Sequence, residues 1–399
     1  MSRAMKHSGI DWIGEIPKEW KCARLKNLIQ CLDSKRIPME ASQRKKGTYP
    51  YWGAGSIMDY VDDYIFDEEL VLLGEDGAPF FDRKRNVAFY VNEKVWINNH
   101  IHVLRPLNGI NAHFLTHFLN IVDYKSYING SILNKLTQSN MNEISCLVLP
   151  ENEQQKIANY LDKVCGEVDE MIALQEQMIE ELKAYKQSVI TEAVTKGLNP
   201  DVPMKDSGID WIGEVPEHWK SERLKFLCTI QTGNQDTQDA QQDGDYPFFV
   251  RSPKVERSTK FSFEGEGILM AGDGAGAGRV FHHAFGKYAV HQRVYRLSDF
   301  SNKIDTNYLF HYISNLFCKV MDMGSAQSTV PSVRLPMLLN FVVCTPPISE
   351  QQSIASYLDT KCAEIDTLIA IKQAKMEELK DYKKSVIYEY VTGKKEVNG

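Results

Sequence analysis

Residues 153–195 of this 399-residue chain are EQQKIANYLDKVCGEVDEMIALQEQMIEELKAYKQSVITEAVT, and residues 350–392 repeat 25 of these 43 positions without a gap. Apolar side chains recur at alternating steps of four and three, as in Ile157, Leu161, Val164 and Val168. Neither stretch contains proline, and Gly166 is the only glycine. The pattern predicts two long helices that pair as an antiparallel coiled coil within the chain. A coil between separate chains is the alternative, which two matching seams in one chain disfavour.

The starts and the seams of the two helices are also predicted. Asn152 with Gln155, and Ser349 with Gln352, resemble capping boxes. The remaining seam positions, which we expect to be buried, are Met171, Gln175, Met178, Leu182, Tyr185 and Val189 in the first copy, and Ile354, Leu358, Ile365, Leu368, Leu379, Tyr382 and Val386 in the second.

A second repeat precedes each variable part of the chain. Residues 8–28, SGIDWIGEIPKEWKCARLKNL, and residues 207–227, SGIDWIGEVPEHWKSERLKFL, share 15 of 21 positions. Four of the six tryptophans, Trp12, Trp20, Trp211 and Trp219, lie in this motif. Large aromatic side chains dominate contacts between packed elements. We therefore expect the motif to anchor a globular domain against the helices, with ligand binding as the alternative.

The segments between these repeats, residues 29–149 and 228–346, are interpreted as diverged copies of one α+β fold with short strands. The segment Tyr49-Pro-Tyr-Trp52 aligns with Tyr246-Pro-Phe-Phe249, and a slip of six residues then places Asn99 over Val290. Glycines 272, 274, 276 and 278 follow a predicted strand. Because no helix start follows them, we interpret the cluster as a tight turn rather than a dinucleotide-binding motif.

Composition restricts the possible functions. The formal net charge is −7, with 43% hydrophobic and 25% charged residues, so any contact with nucleic acid must come from local patches or from partners. The eight cysteines form no C-x-x-C pair, which argues against a zinc ribbon. No apolar run approaches the ~20 residues that span a bilayer, and no signal core opens the chain. We expect a cytoplasmic protein without a membrane partner.

Catalytic signatures are also missing from the sequence. It contains no G-x-x-x-x-G-K-[ST], no (N/D)-P-P-(Y/F) and no H-E-x-x-H motif. The glycine cluster is therefore the one feature on which an enzyme interpretation would rest.

The W-I-G-E-[IV]-P-x-x-W motif, the E-Q-x-x-I-A-x-Y-L-D helix start at residues 153 and 350, and the doubled organisation resemble the specificity (S) subunits of type I restriction-modification complexes. The resemblance covers essentially the whole chain. It implies two target-recognition domains, at residues 1–149 and 207–346, and two conserved helices, at residues 150–197 and 347–393. Residues 198–206 would form a linker, and residues 394–399 a tail.

The resemblance also implies function and partners. Each variable domain would recognise one half of a bipartite, asymmetric double-stranded DNA site, and the paired helices would set the spacing. Two methyltransferase (M) subunits would dock on the helices and would in turn hold the restriction-translocase (R) subunits. This chain would have no catalytic activity of its own. S-adenosylmethionine, ATP and Mg would belong to those partners, with no cofactor or metal in this chain. A coiled-coil adaptor that joins two protein-binding domains is the alternative function.

Candidate DNA-binding residues are polar, basic or aromatic side chains in predicted loops and at strand ends, because such groups recognise bases and phosphates. Tyr51, Trp52, Phe248 and Phe249 could equally be core aromatics. The candidates are Arg44, Lys45, Lys46, Tyr51, Trp52, Arg83, Lys84, Arg85, Asn98 and Asn99 in the first domain, and Arg251, Ser252, Lys254, Arg257, Arg279, Gln292, Arg293, Gln327, Ser328 and Thr329 in the second.

Overall fold

The computed structural model describes residues 3–82, 84–128, 134–324 and 331–397. The chain divides into two compact units: unit 1 comprises residues 1–177 and 372–399, and unit 2 comprises residues 178–371. Each unit combines one tryptophan motif, one variable segment and part of both long helices.

Unit 1 consists mainly of short strands, and helices connect or follow them. The strands are β1 Met5–His7, β2 Glu15–Pro17, β3 Lys21–Arg24, β4 Ile29–Cys31, β5 Lys46–Trp52, β6 Ile57–Val61, β7 Phe66–Asp67, β8 Leu70–Gly74, β9 Ala88–Val91, β10 Lys94–Ile97, β11 Ile101–Pro106 and β12 Ser145–Val148. The helices are α1 Ala112–Leu119, α2 Gln138–Asn142 and α3 Glu151–Lys196, of which α3 extends into unit 2.

Unit 2 repeats the same order of elements. Its strands are β13 Met204–Asp206, β14 Glu214–Pro216, β15 Lys220–Arg223, β16 Thr229–Thr232, β17 Tyr246–Phe249, β18 Glu256–Ser258, β19 Phe263–Glu264, β20 Gly267–Ala271, β21 Phe281–Ala284, β22 Lys287–Val290, β23 Val294–Ser298 and β24 Val342–Thr345. Its helices are α4 Thr306–Gly324, α5 Leu335–Leu339 and α6 Ile348–Val391, of which α6 extends into unit 1.

The two variable parts share one sheet topology. In the described residues each has two four-stranded sheets, ordered β6-β5-β10-β7 and β4-β11-β8-β9 in unit 1, and β18-β17-β22-β19 and β16-β23-β20-β21 in unit 2. The pairs β5–β10 and β17–β22 are parallel, whereas the other pairings in these sheets are antiparallel. The predicted α+β class and the internal repeat are confirmed.

Strand register corrects the sequence alignment of the two variable segments. Trp52 pairs with Ile97 in unit 1, and Phe249 pairs with Val290 in unit 2, so Ile97 and Val290 are equivalent. The slip between the two segments is thus four residues, and the predicted slip of six is wrong. The identical residues His100 and His291 suggested the larger slip, but hydrogen-bonded register decides equivalence.

The long helices run antiparallel within each unit. In unit 1, Lys383 of α6 binds Asp169 of α3 at 2.6 Å, and the hydroxyls of Tyr390 and Tyr160 lie 3.2 Å apart. In unit 2, Lys186 of α3 binds Asp366 of α6 at 2.7 Å. The buried seam residues are Ile157, Leu161, Val168 and Val386 in unit 1, and Val189, Ile354, Leu358 and Ile365 in unit 2. Pairing within one chain is therefore confirmed.

Four predicted seam positions are wrong, and they are equivalent in pairs across the repeat. Met171 and Leu368 are each 46% exposed, and Tyr185 and Tyr382 are 58% and 53% exposed. An α-helix with 3.6 residues per turn rotates a strict heptad by about 20° per repeat. These four positions lie off the contact face, whereas Val189 and Val386 of the predicted seam stay buried near the helix ends.

The predicted capping boxes are also wrong, because Asn152 and Ser349 lie inside their helices. The neighbouring glutamines have the structural role instead. Gln154 is buried, accepts a hydrogen bond from the Asn111 amide at 2.9 Å, and donates to the carbonyls of Gly109 and Leu149. Gln351 makes the equivalent three bonds in unit 2. Each glutamine ties its helix start to the loop before α1 or α4.

The tryptophan motif anchors each domain to its helix, as predicted. Trp20 is fully buried and donates from Nε1 to the Glu153 carboxylate at 3.0 Å. Trp219 makes the same bond to Glu350 at 3.1 Å. A Cβ at Gly393, which has φ of +70° at the end of α6, would collide with Pro17 beside Trp20.

Among the described residues, no helix carries an apolar segment long enough to cross a bilayer.

Candidate nucleic-acid interface

One edge of each variable domain gathers loops from several strands. Strands β5 and β10 are parallel, so their carboxyl ends emerge together, and β8 ends beside the start of β11. We call this edge the loop corner; it comprises residues 53–56, 75–78 and 98–100 in unit 1, and residues 250–255, 272–278 and 291–293 in unit 2. Corrected register makes the two corners equivalent position by position around these strand ends.

In unit 2 the corner centres on one carboxylate. Asp273 Oδ1 accepts from Arg251 Nη1 and Asp273 Oδ2 accepts from Arg293 Nη1, each at 2.9 Å. The side chain of Asp273 is only 17% exposed, whereas those of Arg251 and Arg293 are 45% and 62% exposed. Next to them, Gln292 donates to Asp236 at 2.9 Å. The structure thus brings together three of the candidate DNA-binding residues, Arg251, Gln292 and Arg293.

In unit 1 the equivalent carboxylate is Asp76. Its Oδ1 lies 2.5 Å from His100 Nδ1, and its Oδ2 lies 3.8 Å from Lys135 Nζ. Asp76 forms a bridge with Lys135 as Asp273 does with Ser332, which supports the equivalence. By register His100 corresponds to Arg293, and the exposed Asn99 corresponds to the exposed Gln292.

Next to each corner, one side chain forms a hydrogen bond with the backbone of a neighbouring segment. His102 Nδ1 lies 2.6 Å from Asp33, and Nε2 lies 2.8 Å from the Leu136 carbonyl. Both partners offer acceptor oxygens to the imidazole ring. In unit 2 the equivalent Tyr295 donates its hydroxyl to the Val333 carbonyl at 3.1 Å. Different residues therefore hold the same backbone segment next to the corner.

Charge compensation shapes the group behind the unit 1 corner. Burial alone would raise the pKa of the Asp33 carboxyl, but the hydrogen bond and charge of His102 outweigh it and hold that pKa below its usual value. Asp33, Glu75 and His102 are close enough to hold a metal ion. Arg36 contacts Glu75 at 2.6 Å, however, and Lys135 contacts it at 3.2 Å. These side chains already supply the positive charge that the carboxylates require.

Several predicted DNA-binding residues serve the core instead. Tyr51, at 1% exposure, hydrogen-bonds the backbone of Met39, and Trp52 is buried against Phe89. The buried Asn98 accepts from the His100 amide at 2.7 Å. Burial prevents these three side chains from reaching a duplex, so this part of the prediction does not fit the structure. Phe248 and Phe249 are buried too, in agreement with the alternative of core aromatics.

Other predicted residues are bound to neighbouring groups. Most of Arg44 is covered by Tyr51 and the Met39 carbonyl, and Lys84 donates to Glu377 of α6 at 2.5 Å. Arg257 donates to the carbonyls of Gly244 and Asp245, and Arg279 binds Asp322 at 2.7 Å. Ser252 donates to the Lys254 carbonyl, and the Lys254 ammonium lies 3.4 Å from Glu256. Each of these side chains has a partner within the protein, while Lys254, at 79% exposure, stays open to solvent.

The remaining candidates divide between exposed residues and residues outside the described ranges. Lys45, Lys46, Arg85 and Asn99 are exposed. Arg83, Gln327, Ser328 and Thr329 lie outside the described residues.

Sequence reasoning missed Asp76 and Asp273, because acidic residues are poor candidates for DNA contact. The available signal was the shared Asp-Gly that follows a buried strand in both segments, at Asp76-Gly77 and Asp273-Gly274. The turn interpretation of the glycine cluster is confirmed, since Gly274 and Gly278 have positive φ and strand β21, not a helix, follows.

Comparison with known proteins agrees with this architecture. The sequence matches the family described as "Type I restriction modification DNA specificity domain" twice, at residues 17–184 and 216–381. The putative type I restriction enzyme specificity subunit S.HindORF215P of Haemophilus influenzae is 26% identical to this chain, over 86% of each chain. The type I restriction enzyme MjaVIII specificity subunit of Methanocaldococcus jannaschii is 23% identical, over 95% of this chain and 93% of its own.

A solved structure from work on complex assembly and conformational transition of the type I R-M system has the same fold. It superposes with a TM-score of 0.68 at 16% identity, over 95% of this chain and 99% of its own. The duplicated sequence match covers most of the chain, and the two-domain, two-helix fold accompanies it. The chain is a member of the type I restriction-modification DNA specificity family.

Proposed function

We propose that this chain is the DNA sequence-recognition subunit of a type I restriction-modification complex. Each loop corner recognises one half of a bipartite, asymmetric site, and the paired helices set the distance between halves. The observation that carries the proposal is that one topology presents two chemically different corners. Asp76 holds His100 in unit 1, whereas Asp273 holds Arg293 and Arg251 in unit 2. Identical corners would instead suit a palindrome.

Helix surfaces support the docking of two copies of one partner. The exposed apolar residues Met171, Leu174 and Tyr382 in unit 1 correspond by repeat position to Leu368, Ile371 and Tyr185 in unit 2. We call these two sets the helix patches. Apolar groups exposed at equivalent positions of both repeats are typical of an interaction surface used twice. The methyltransferase subunits are the proposed occupants, and they bring the R subunits with them.

In this proposal, the chain has no catalytic role of its own. Methyl transfer, ATP use and DNA cleavage, with S-adenosylmethionine, ATP and Mg, belong to the partners in this proposal. The carboxylates at the corners agree with it, because Lys135 contacts both Asp76 and Glu75, and Arg251 contacts Asp273. Such pairing fits the positioning of basic groups better than acid–base chemistry.

The test is binding of duplex libraries by the purified complex of this chain with its methyltransferase subunits. We expect one non-palindromic motif with two half-sites and a fixed spacer. Changing either half-site, or inserting one base pair between the halves, should reduce affinity to that of random DNA. Methylome sequencing of cells with and without the gene should show one adenine-methylated motif that depends on this chain.

A complex that binds every duplex equally would contradict the proposal. If the chain then still binds protein partners at both ends, the alternative of a coiled-coil adaptor between two protein-binding domains is favoured. Measurements at two salt concentrations separate the outcomes, because binding through phosphates alone falls steeply with salt for all sequences alike.

A further inference from the structure

The two loop corners share one arrangement of side chains. An aspartate in the turn after β8 or β20 holds the residue just before β11 or β23, which is His100 in unit 1 and Arg293 in unit 2. The aspartate is kept and its partner changes, so the partner position is where the two corners differ in chemistry. Arg251, at the equivalent of Ala54, adds a second guanidinium in unit 2.

The geometry of the unit 2 arrangement determines how its arginines face outward. Each oxygen of Asp273 accepts from a single Nη1 atom, at 2.9 Å in both cases. A guanidinium has five N–H donors, so each arginine retains donors for another acceptor. Arg251 and Arg293 carry two positive charges against the single carboxylate of Asp273, and a second carboxylate, Asp236, accepts from the Gln292 amide at 2.9 Å. The corner therefore suits an electronegative group with two adjacent acceptors.

Guanine is the base that offers this group in the major groove. Its O6 and N7 accept a bidentate pair from arginine, whereas adenine presents an acceptor beside a donor. We infer that Arg293 and Arg251 recognise guanine in the half-site of unit 2, and that Asp273 is the positioning residue for both. The inference rests on the proposed function and deepens it. His100 and Asp76 occupy the matching place for the other half-site.

Selection from a random duplex library with the whole complex tests this assignment. The wild-type motif should contain guanine in one half-site at one or more positions. Arg293→Lys retains the charge but loses the planar fork. It should reduce the preference for guanine over adenine by about 10-fold at one position, because a bidentate pair contributes discrimination of that order. The other half-site and the spacer should stay unchanged.

Asp273→Asn tests positioning. The variant removes a negative charge, so affinity for random DNA should hold or rise, while discrimination at the guanine position falls. A purely structural role would weaken binding to all duplexes equally and lower the unfolding temperature. Lys254→Gln is the matched control, since Lys254 is a highly exposed cation in the same corner that does not contact Asp273. It should weaken binding without changing the motif.

The outcomes separate the two proposals. If the wild-type complex selects no motif, the proposed function fails. A bipartite motif without guanine overturns the guanine assignment and leaves the proposed function intact. If Arg293→Lys leaves the guanine preference unaltered, the guanine assignment is overturned and the proposed function again stays intact. Relaxation confined to one half-site supports the assignment, and Asp76→Asn should then affect only the opposite half.

Discussion

Trp20 and Glu153 are joined by a hydrogen bond of 3.0 Å from the buried indole Nε1 to the carboxylate, and Trp219 and Glu350 repeat it at 3.1 Å. Arg3 adds a 2.6 Å contact to Glu153. Each pair joins a tryptophan motif to the first turn of a long helix, so the helix and the globular domain of a unit are stabilised together.

The first prediction concerns this bond. Glu153→Ala leaves the buried indole donor without its acceptor and removes one of the carboxylates that Arg3 contacts, which should lower the free energy of unfolding by about 1–3 kcal/mol. Denaturant unfolding measures the change, and hydrogen exchange should show it in unit 1. Glu151→Ala, on an exposed neighbour in the same turn, is the control and should have little effect. Equal effects of the two substitutions would refute the proposed role of the bond.

The second prediction tests the buried glutamine. In Gln154→Glu a carboxylate replaces an amide that donates to the Gly109 and Leu149 carbonyls at 2.9 Å. Two buried acceptors lose their donor and face a negative charge, so we expect a loss of more than about 2 kcal/mol. Thermal unfolding measures it. Gln155→Glu, at an exposed position, should cost far less, and a larger cost there would contradict the argument.

A third prediction follows from the lowered pKa of Asp33. Burial opposes the shift, and His102 produces it. A carboxyl with a folded pKa below its usual 3.8 stabilises the fold above that pH, and the contribution is lost as pH falls through the folded pKa. Asp33→Asn should cost about 3 kcal/mol at pH 7, because it removes the carboxylate charge 3.4 Å from Arg36 and weakens the contacts with His102 and the Val103 amide.

The measurement for Asp33 is unfolding free energy as a function of pH. The difference between wild type and Asp33→Asn should be constant from pH 7 to about pH 5 and should shrink below pH 4. Asp62→Asn, on an exposed carboxylate, serves as the control. A difference that does not depend on pH would show that the carboxylate charge is not the cause.

The fourth prediction concerns Lys384, which lines a cavity of about 940 Å³ in unit 1 with Phe80, Arg85 and Tyr388. Burial, with a smaller repulsion from Lys383, lowers the pKa of Lys384 from 10.5 to about 8. Its charged form therefore destabilises the folded state below pH 8, and this cost is relieved as pH rises toward 10.5.

The equivalent position in the other repeat suggests which residue should replace Lys384 in a test. Gln187, at the equivalent position, donates to the Asn315 carbonyl at 3.2 Å, as Lys384 donates to the Asn120 carbonyl at 3.3 Å. Lys384→Gln should stabilise unit 1 by up to about 3 kcal/mol at pH 7, with a gain that declines above pH 8. Chemical unfolding at pH 7 and pH 10 checks both parts. A destabilised variant at pH 7 would contradict the prediction.

The fifth prediction concerns the helix patches. Leu174→Asp and Ile371→Asp each place a charge in one patch, at side chains that are 53% and 56% exposed. Each single variant should lower the stoichiometry of bound methyltransferase from two copies to one, and the double variant should bind none. Native mass spectrometry counts the copies. Met58→Asp, at an exposed apolar residue outside the patches, should leave two bound.

The sequence alone was sufficient to predict that the architecture is an internal duplication. Two long helices, two tryptophan anchors and two diverged α+β segments all follow from repeats and periodicity, because these features depend on local side-chain order. The anchor role of Trp20 and Trp219 was predictable, since a large aromatic residue in a repeated motif must be buried somewhere. The seam was predictable at both ends of the helices, as the buried Ile157 and Val189 show, but not at the exposed Met171 and Tyr185.

Tertiary structure alone decided the equivalence of the two corners and which polar residues reach solvent. Asn98 and Asn99 are adjacent in sequence, but one is buried and the other exposed, and strand register determines which. The pairing of Asp273 with Arg251 and Arg293 joins loops that are about 20 residues apart in sequence. Such contacts depend on how parallel strand ends meet in space, which no local pattern encodes.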